Sequence, residues 1–301
     1  MDDLHVKTNS FKAWLLAARP KTLAGAAVPV AMGCTLAWTD CGTALHVIPA
    51  LICFLFAFVM QIDANFVNDY FDFIKGNDDE TRLGPKRACA QGWITVKAMQ
   101  KGIAATTLVA CATGLPLVVY GGWEMVGVGV LCVAFCFLYT THLSYKGLGD
   151  VLVLVFFGLV PVTLTYYLCM PPGRQAVTAE VIGMAVACGL VIDTLLVVNN
   201  FRDMDNDSRA GKRTLAVRLG HANTGWLYYG LGCCACMIGV ALFWKSHPLA
   251  AFLPIFYWMK HISTYRQMMA IGKGERLNLI LEQTARNISI YGICVVLGLL
   301  L

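Results

Sequence analysis

The sequence predicts an all-α, polytopic membrane protein, and three observations carry that prediction. Hydrophobic residues fill 58% of the 301 positions and charged residues only 14%, with a mean hydropathy of +0.64. Soluble domains carry about 25% charge, so this chain has too little polar surface for a water-soluble globule, a disordered chain or a nucleic-acid-binding domain. Apolar runs of bilayer-spanning length also recur from end to end. Finally, the basic residues sit almost entirely on alternate loops.

A helix needs about 20 mostly apolar residues to cross the hydrocarbon. Nine segments satisfy this, at about 20–38, 46–67, 99–120, 123–141, 149–170, 179–200, 223–244, 248–269 and 279–301. Arg19-Pro20-Lys21 precedes the first, and the eighth runs into His261 and Arg266. Pro29, Pro116 and Pro161 fall inside spans, which membrane helices tolerate when neighbours satisfy the freed backbone groups. Of the 23 lysines and arginines, all but Arg174 and Lys245 lie on the N-terminal segment or on the connections after even-numbered spans. The positive-inside rule then places the N-terminus and those loops in the cytoplasm and the C-terminus outside. The expectation is one transmembrane domain over 1–301, integral to a bacterial plasma membrane, with two long cytoplasmic cap loops at 72–98 and 201–222.

The 13 cysteines predict neither disulfides nor a metal centre. Cys34, Cys53, Cys111, Cys132, Cys136, Cys188 and Cys294 lie in apolar runs, where cysteine behaves as a small hydrophobe. Cys233, Cys234 and Cys236 lack a second pair at zinc spacing. The start, MDDLHVKTNSFKAW, lacks the basic region leading into an apolar core that a cleaved signal peptide has.

Chemistry concentrates where the second and sixth spans end. If the second helix continues past the membrane, Asn65, Asn68, Asp69 and Asp72 fall on one face. On the sixth, Asn199, Asp203 and Asp207 form a second ladder while Asp205 points elsewhere. Stacked carboxylates at the edge of the hydrocarbon repel one another and lose hydration, so a cation has to compensate them. Oxygen-rich clusters suit Mg²⁺, which takes one or two carboxylates and completes its shell with water and phosphate oxygens. Asn68-x-x-x-Asp72 recurs as Asn199-x-x-x-Asp203 four spans later, and each is followed by a basic stretch, Arg82 to Arg87 and Arg209 to Arg213. The pattern reads as a duplicated four-helix unit with a ninth span added. Two acidic ladders ringed by basic loops suit a diphosphate bridged by metal.

These residues resemble the UbiA-type membrane prenyltransferases, whose first motif reads Asn-Asp-x-x-Asp-x-x-x-Asp and whose second reads Asp-x-x-x-Asp. Asn68, Asp69 and Asp72 match the first, while Gly76 occupies its final position. The wider run NDYFDFIKGND…RLGPKR…QGWIT is similar to the branch that prenylates 1,4-dihydroxy-2-naphthoate, where a glycine is usual and an aspartate, here Asp78, follows. NNFRDMDNDSRAGKRTLAVRLG and YKGLGDVLVLVFFGLVPVTLTYYL look like the same branch. The resemblance extends from about Trp14 to the last helix.

The resemblance implies nine helices around a central cavity open to the membrane, capped by the two long cytoplasmic loops. It implies Mg²⁺-dependent transfer of a polyprenyl group from its diphosphate to the naphthoate, with loss of CO₂ and diphosphate, giving demethylmenaquinone. Asn68, Asp72, Asp203 and Asp207 are the expected principal metal ligands, with Asp69 and Asp78 as further ones. Asn65 is expected to bind substrate, and Arg87, Lys212 and Arg213 to clamp the diphosphate alongside Arg202, which is also a catalytic candidate. Tyr139 and Lys146 are carried over as catalytic residues near the forming cation, and Tyr145 as a substrate contact. His142 reads as a solvated loop residue. The expected partners are a polyprenyl diphosphate, a small aromatic acid and membrane lipid, with no nucleic acid. Alternatives are another acceptor, such as 4-hydroxybenzoate, or a transporter. Transporter ligands usually bind near the midplane, whereas these acids sit at helix ends beside basic loops.

Overall fold

The computed structural model describes residues 6–76 and 82–301, and among them it contains helices, turns and no strand. A short helix α1 (Phe11–Ala18) leads into α2 (Leu23–Cys41) and α3 (Val47–Ile74). Three further helical segments follow: α4 (Val96–Gly121), α5 (Glu124–Lys146) and α6 (Gly149–Cys169). Then come α7 (Ala179–Arg209), α8 (Leu215–Phe243), α9 (Ile255–Ile271) and α10 (Leu277–Leu300). Eight of the helical segments are long and apolar enough to cross a membrane. The chain is therefore an integral membrane protein. The expected eighth span corresponds to α9, whose 17 residues include Lys260, His261 and Arg266, too short and too polar to meet the same measure.

Helix α1 was not expected from the polar N-terminal segment. Ser10 caps it, its hydroxyl accepting from the Ala13 N–H at 3.3 Å. Ala13 and Ala17 are buried, whereas Phe11, Leu15 and Leu16 are exposed, as suits a helix lying against lipid. It ends at Arg19, whose φ of 50° is left-handed, because the following Pro20 disfavours helical backbone at the residue before it.

Both connections expected as long cytoplasmic loops are more helical than that reading. Helix α3 runs to Ile74, so all of its ladder is helical. Helix α7 continues to Arg209, and α8 begins at Leu215 behind a Thr214 cap. The second cap is therefore a short turn flanked by helix, with a break at Gly220 (φ 74°, ψ 172°) that allows α8 to change direction.

Helix α7 is the most enclosed span and α5 the least buried, with much of α5 lining the cavity described below. The main core gathers Met32 of α2, Val162 of α6, Met184 and Val191 of α7 and Tyr291 of α10. A second core, with Ala13, Phe66, Val67, Cys89, Ile94 and Met99, seats the first cap loop on α1, α3 and α4. Two π-helical turns, Tyr139–Leu143 and Leu154–Leu159, interrupt α5 and α6. The second lies just before Pro161, which has no N–H for a regular ladder.

The α6–α7 crossing depends on small residues. A Cβ on Gly158 would lie 2.6 Å from the Ala185 carbonyl oxygen and 2.6 Å from the Gly189 Cα. We expect Gly158→Val to destabilise the protein by about 2 kcal/mol, the scale of core overpacking, and a thermal melt in detergent would read this as a lowered Tm. An unchanged Tm would mean that the helices separate without cost.

Candidate active site

A cavity of about 900 Å³ lies between the helices. Its body is apolar, with walls from Phe56, Met60, Val126, Phe135, Phe156 and Leu164. Its other end is polar. There α3 contributes Asn68 and Asp72, and α7 contributes Asn199, Asp203 and Asp207. Arg82 and Arg87 of the first cap loop and Lys212 of the turn after α7 complete this end. The helices bring the two ladders together because each continues beyond its apolar stretch without a break.

Asp72 is buried, with 5% of its surface exposed, and cations flank both its oxygens. Arg87 Nη2 lies 3.5 Å from Oδ2, and Lys212 Nζ lies 3.6 Å from Oδ1. The same ammonium is 3.9 Å from Asp207 Oδ1, so a single lysine head bridges the two ladders. Burial by itself would lower the Lys212 pKa, but Asp72 and Asp207 outweigh it and hold the value above the ordinary lysine range. Lys212 therefore stays cationic at neutral pH. Lys75 goes the other way: burial lowers its pKa, Asp72 offsets part of that, and the charge of Lys212 adds to the lowering.

Asp203 is held by Arg202 in a fork, with Nε to Oδ1 at 2.8 Å and Nη2 to Oδ2 at 2.6 Å. Arg202 also donates to Asn199 Oδ1 and Asn278 Oδ1, each at 2.8 Å. Asn278 in turn donates to the Leu83 carbonyl at 2.8 Å, which joins α7, α10 and the cap loop. Arg202 is buried and lies off the cavity wall. Its expected catalytic place is corrected to that of a positioning residue, because its donors are spent on Asp203 and on these two amides.

Asp69 is also corrected. The Ala88 and Cys89 N–H groups donate to its two oxygens at 2.8 and 2.9 Å, Arg19 approaches at 3.8 Å, and it does not line the cavity. It pins the cap loop to α3 rather than facing a metal. Asp78 lies outside the described residues. Asp205 is exposed and pairs with Lys273 at 2.9 Å, away from the other ladder members, as the helical spacing predicts.

Tyr139 lines the cavity from the π turn of α5. Lys146 does not: it is exposed, and its carbonyl accepts from Arg218 Nη2 at 2.7 Å. Arg213 is likewise exposed and off the wall, its N–H donating to the Tyr145 carbonyl at 3.0 Å. Tyr145 stands beside the wall, with Lys75 Nζ 4.3 Å and Lys212 Nζ 5.2 Å from its ring centre. It contacts the cations rather than the cavity. A turn of only a few residues cannot direct every one of its side chains inward, which is why these neighbours of true wall residues miss it. His142 is exposed, as expected. Asn65 does line the cavity, but its amide is committed to the Ala18 carbonyl at 2.9 Å and Thr22 Oγ1 at 3.0 Å.

Arg19, Arg82 and Gln61 line the cavity and were not among the expected site residues. Arg82 had a visible signal in the basic stretch that follows the first ladder. Arg19 read only as the flank of a span, and Gln61 as part of its interior.

The donor set fits Mg²⁺. The oxygens of Asn68, Asp72, Asp203 and Asp207 are hard ligands at one polar mouth. Among the described residues no three His, Cys, Asp or Glu side chains converge to enclose an ion.

The model of the UbiA prenyltransferase family matches residues 26–277. The chain is 33% identical over 303 residues to the 1,4-dihydroxy-2-naphthoate octaprenyltransferase of Escherichia coli (strain K12), covering 96% of each chain. It is 37% identical over 230 residues to the protein of that name from Mycobacterium tuberculosis, covering 74% of this chain and 75% of the other. Among solved structures, the fold is similar to a UbiA homolog from Aeropyrum pernix K1, with a TM-score of 0.70 at 15% identity, covering 93% and 98% of the chains. It is also similar to a UbiA homolog from Archaeoglobus fulgidus bound to GPP and Mg²⁺, with a TM-score of 0.63 at 16% identity and coverage of 94% and 99%. An all-helical membrane fold around a cavity with two facing Asp ladders, and a family match over most of the chain, lead to one conclusion: the chain belongs to the UbiA prenyltransferase family.

Proposed function

We propose that this enzyme transfers a polyprenyl group from polyprenyl diphosphate to 1,4-dihydroxy-2-naphthoate, with loss of diphosphate and CO₂. The product is demethylmenaquinone in its quinol form. The observation that carries this reading is the cavity itself, an apolar chamber with Asp72, Asp203, Asp207, Arg82, Arg87 and Lys212 at one end. A long prenyl chain fits the chamber and its diphosphate fits the polar mouth. The choice of acceptor is supported by the two relatives that bear the naphthoate name.

Asn68, Asp72, Asp203 and Asp207 would hold Mg²⁺, which when bound neutralises charge on the diphosphate oxygens. Arg87 and Lys212, with Arg82 beside them, bind the outer oxygens by charge-assisted hydrogen bonds and stabilise charge as it builds on the leaving group. The C1–O bond breaks and its electron pair leaves with diphosphate. The apolar walls keep water from the allylic cation, and Tyr139, which lines the cavity, would stabilise it through its ring. The acceptor's carboxylate-bearing ring carbon supplies the pair for the new bond to C1. The pair of the C–CO₂ bond returns to the ring as CO₂ departs, so no proton has to be supplied. The mouth faces the cytoplasm, the side on which the basic residues are concentrated.

A prenyl-transfer assay on membranes, read by mass spectrometry with dihydroxynaphthoate and 4-hydroxybenzoate in competition, is expected to yield demethylmenaquinone that EDTA abolishes and Mg²⁺ restores. Prenylated hydroxybenzoate instead would overturn the acceptor assignment, and EDTA-insensitive transfer would overturn the metal assignment.

In the same assay, Asp72→Ala and Asp203→Ala should each lower turnover at least about 100-fold, the scale of removing a transition-state charge stabiliser, while the protein still folds. Asp205→Ala should stay within about twofold, the range for an exposed ion pair. Equal losses at Asp203 and Asp205 would count against the ladder geometry.

Lys146→Ala tests the corrected position of that residue. Its side chain lies off the wall, so turnover should remain within about twofold, as for most exposed substitutions. A loss comparable to Asp72→Ala would return Lys146 to the chemistry.

A further inference from the structure

Gln61 lies on α3 two turns before Asn68, on the wall of the same cavity. Hydrogen-bond logic fixes which way its amide points. The Thr22 hydroxyl spends its one proton on the Arg19 carbonyl at 2.9 Å, which leaves that oxygen only as an acceptor. Asn65 Nδ2 donates to it at 3.0 Å. Gln61 therefore presents Nε2 to Thr22 Oγ1, at 3.3 Å. Its Oε1 is enclosed and finds no hydrogen-bond partner among the described residues. A buried acceptor without a donor is unfavourable, and a small turn of the side chain toward the cavity would give it a ligand hydroxyl.

Gly25 shapes the cavity wall close to this amide. It lies on α2 one turn after Thr22, is buried and lines the cavity. Yet a Cβ on it would meet nothing within 4 Å. Glycine inside a helix is less favourable than alanine, and here no neighbouring side chain requires it. With Ala26 and Pro29 on the same wall, it leaves a smooth slot against which a flat ring can lie.

We propose that this slot is the acceptor subsite, where Gln61 Oε1 accepts a phenolic hydroxyl from an aromatic ring stacked over Gly25. Thr22 and Asn65 are the positioning residues that hold the amide. The proposal rests on the preceding reading that the acceptor is a hydroxylated aromatic acid. Seven residues of helix put Gln61 about 10 Å along the axis from Asn68, which leaves room for a hydrogen bond to the 4-hydroxyl, the one ring that carries both that hydroxyl and the reacting carbon, and the prenyl C1 beyond it. In the dihydroxynaphthoate the 1-hydroxyl bonds to the adjacent carboxylate, so the 4-hydroxyl is the free donor.

The test uses the full-length protein in detergent with Mg²⁺. Gln61→Leu should raise the acceptor KM about tenfold, the worth of one buried hydrogen bond, and leave the polyprenyl diphosphate KM within twofold. Inhibition by 4-hydroxy-2-naphthoate should be about tenfold stronger than by 2-naphthoate in the unsubstituted protein, and that gap should close in Gln61→Leu. A gap that persists in the variant overturns the proposal, and so does an equal rise in both KM values, which would assign Gln61 to the prenyl chain. Gly25→Val, checked for folding by its thermal melt, should raise the acceptor KM by closing the slot. An unchanged acceptor KM there would also overturn it. Failure of the unsubstituted protein to prenylate dihydroxynaphthoate would count against the preceding function instead, because the inhibitor gap can still be read with whichever acceptor it does prenylate.

Discussion

Carboxylates held at the edge of a membrane need cations, and much of this structure is arranged to supply them. Asp72 retains only 5% of its surface exposed, and a bare ionised carboxylate in such surroundings is expensive. Arg87 comes to it from the cap loop and Lys212 from the turn after α7. Lys212 reaches Asp207 as well, so the ends of α3 and α7 are coupled through one charge. Asp203 has its own counter-ion in Arg202, which is anchored to α10 through Asn278. Removing any one of these cations leaves a buried or half-buried anion with less compensation, which explains why the cap is tied down at so many points.

The same constraint separates two uses of aspartate within a single helix. Asp69 and Asp72 are three residues apart on α3, yet Asp69 receives the Ala88 and Cys89 N–H groups while Asp72 faces the cavity. One carboxylate builds the cap and the other furnishes the polar mouth that the cap covers. Beneath that mouth the walls are apolar and offer few polar groups. The ordered Thr22, Asn65 and Gln61 cluster is a polar exception in that part of the wall.

Much of the fold and part of the site were legible in the sequence, because both depend on local periodicity. Apolar runs of membrane length, the placement of basic residues and the ladder spacing are all properties of single helices. Helix α9 was the exception among the spans, since its polar residues blur a hydropathy reading. Helix α1 was hidden because its apolar face is short and its flanks are polar. The two cap regions read as loops by their charge, yet the helices run on through the ladders before turning.

By itself, the sequence determined that the chain is helical and membrane-embedded, and that α3 and α7 each carry an acidic stripe at one end. Helical spacing also decided that Asp205 would leave the Asp203 and Asp207 stripe, since that depends on only one turn. Tertiary structure decided which carboxylates reach the cavity and which basic residues neutralise them. Asp69 could be distinguished from Asp72 only once Ala88 and Cys89 had been brought against it, and Lys146 from Lys212 only once the turn after α7 had been folded over the mouth. These are contacts between segments distant along the chain, and helical periodicity carries no information about what packs against a face.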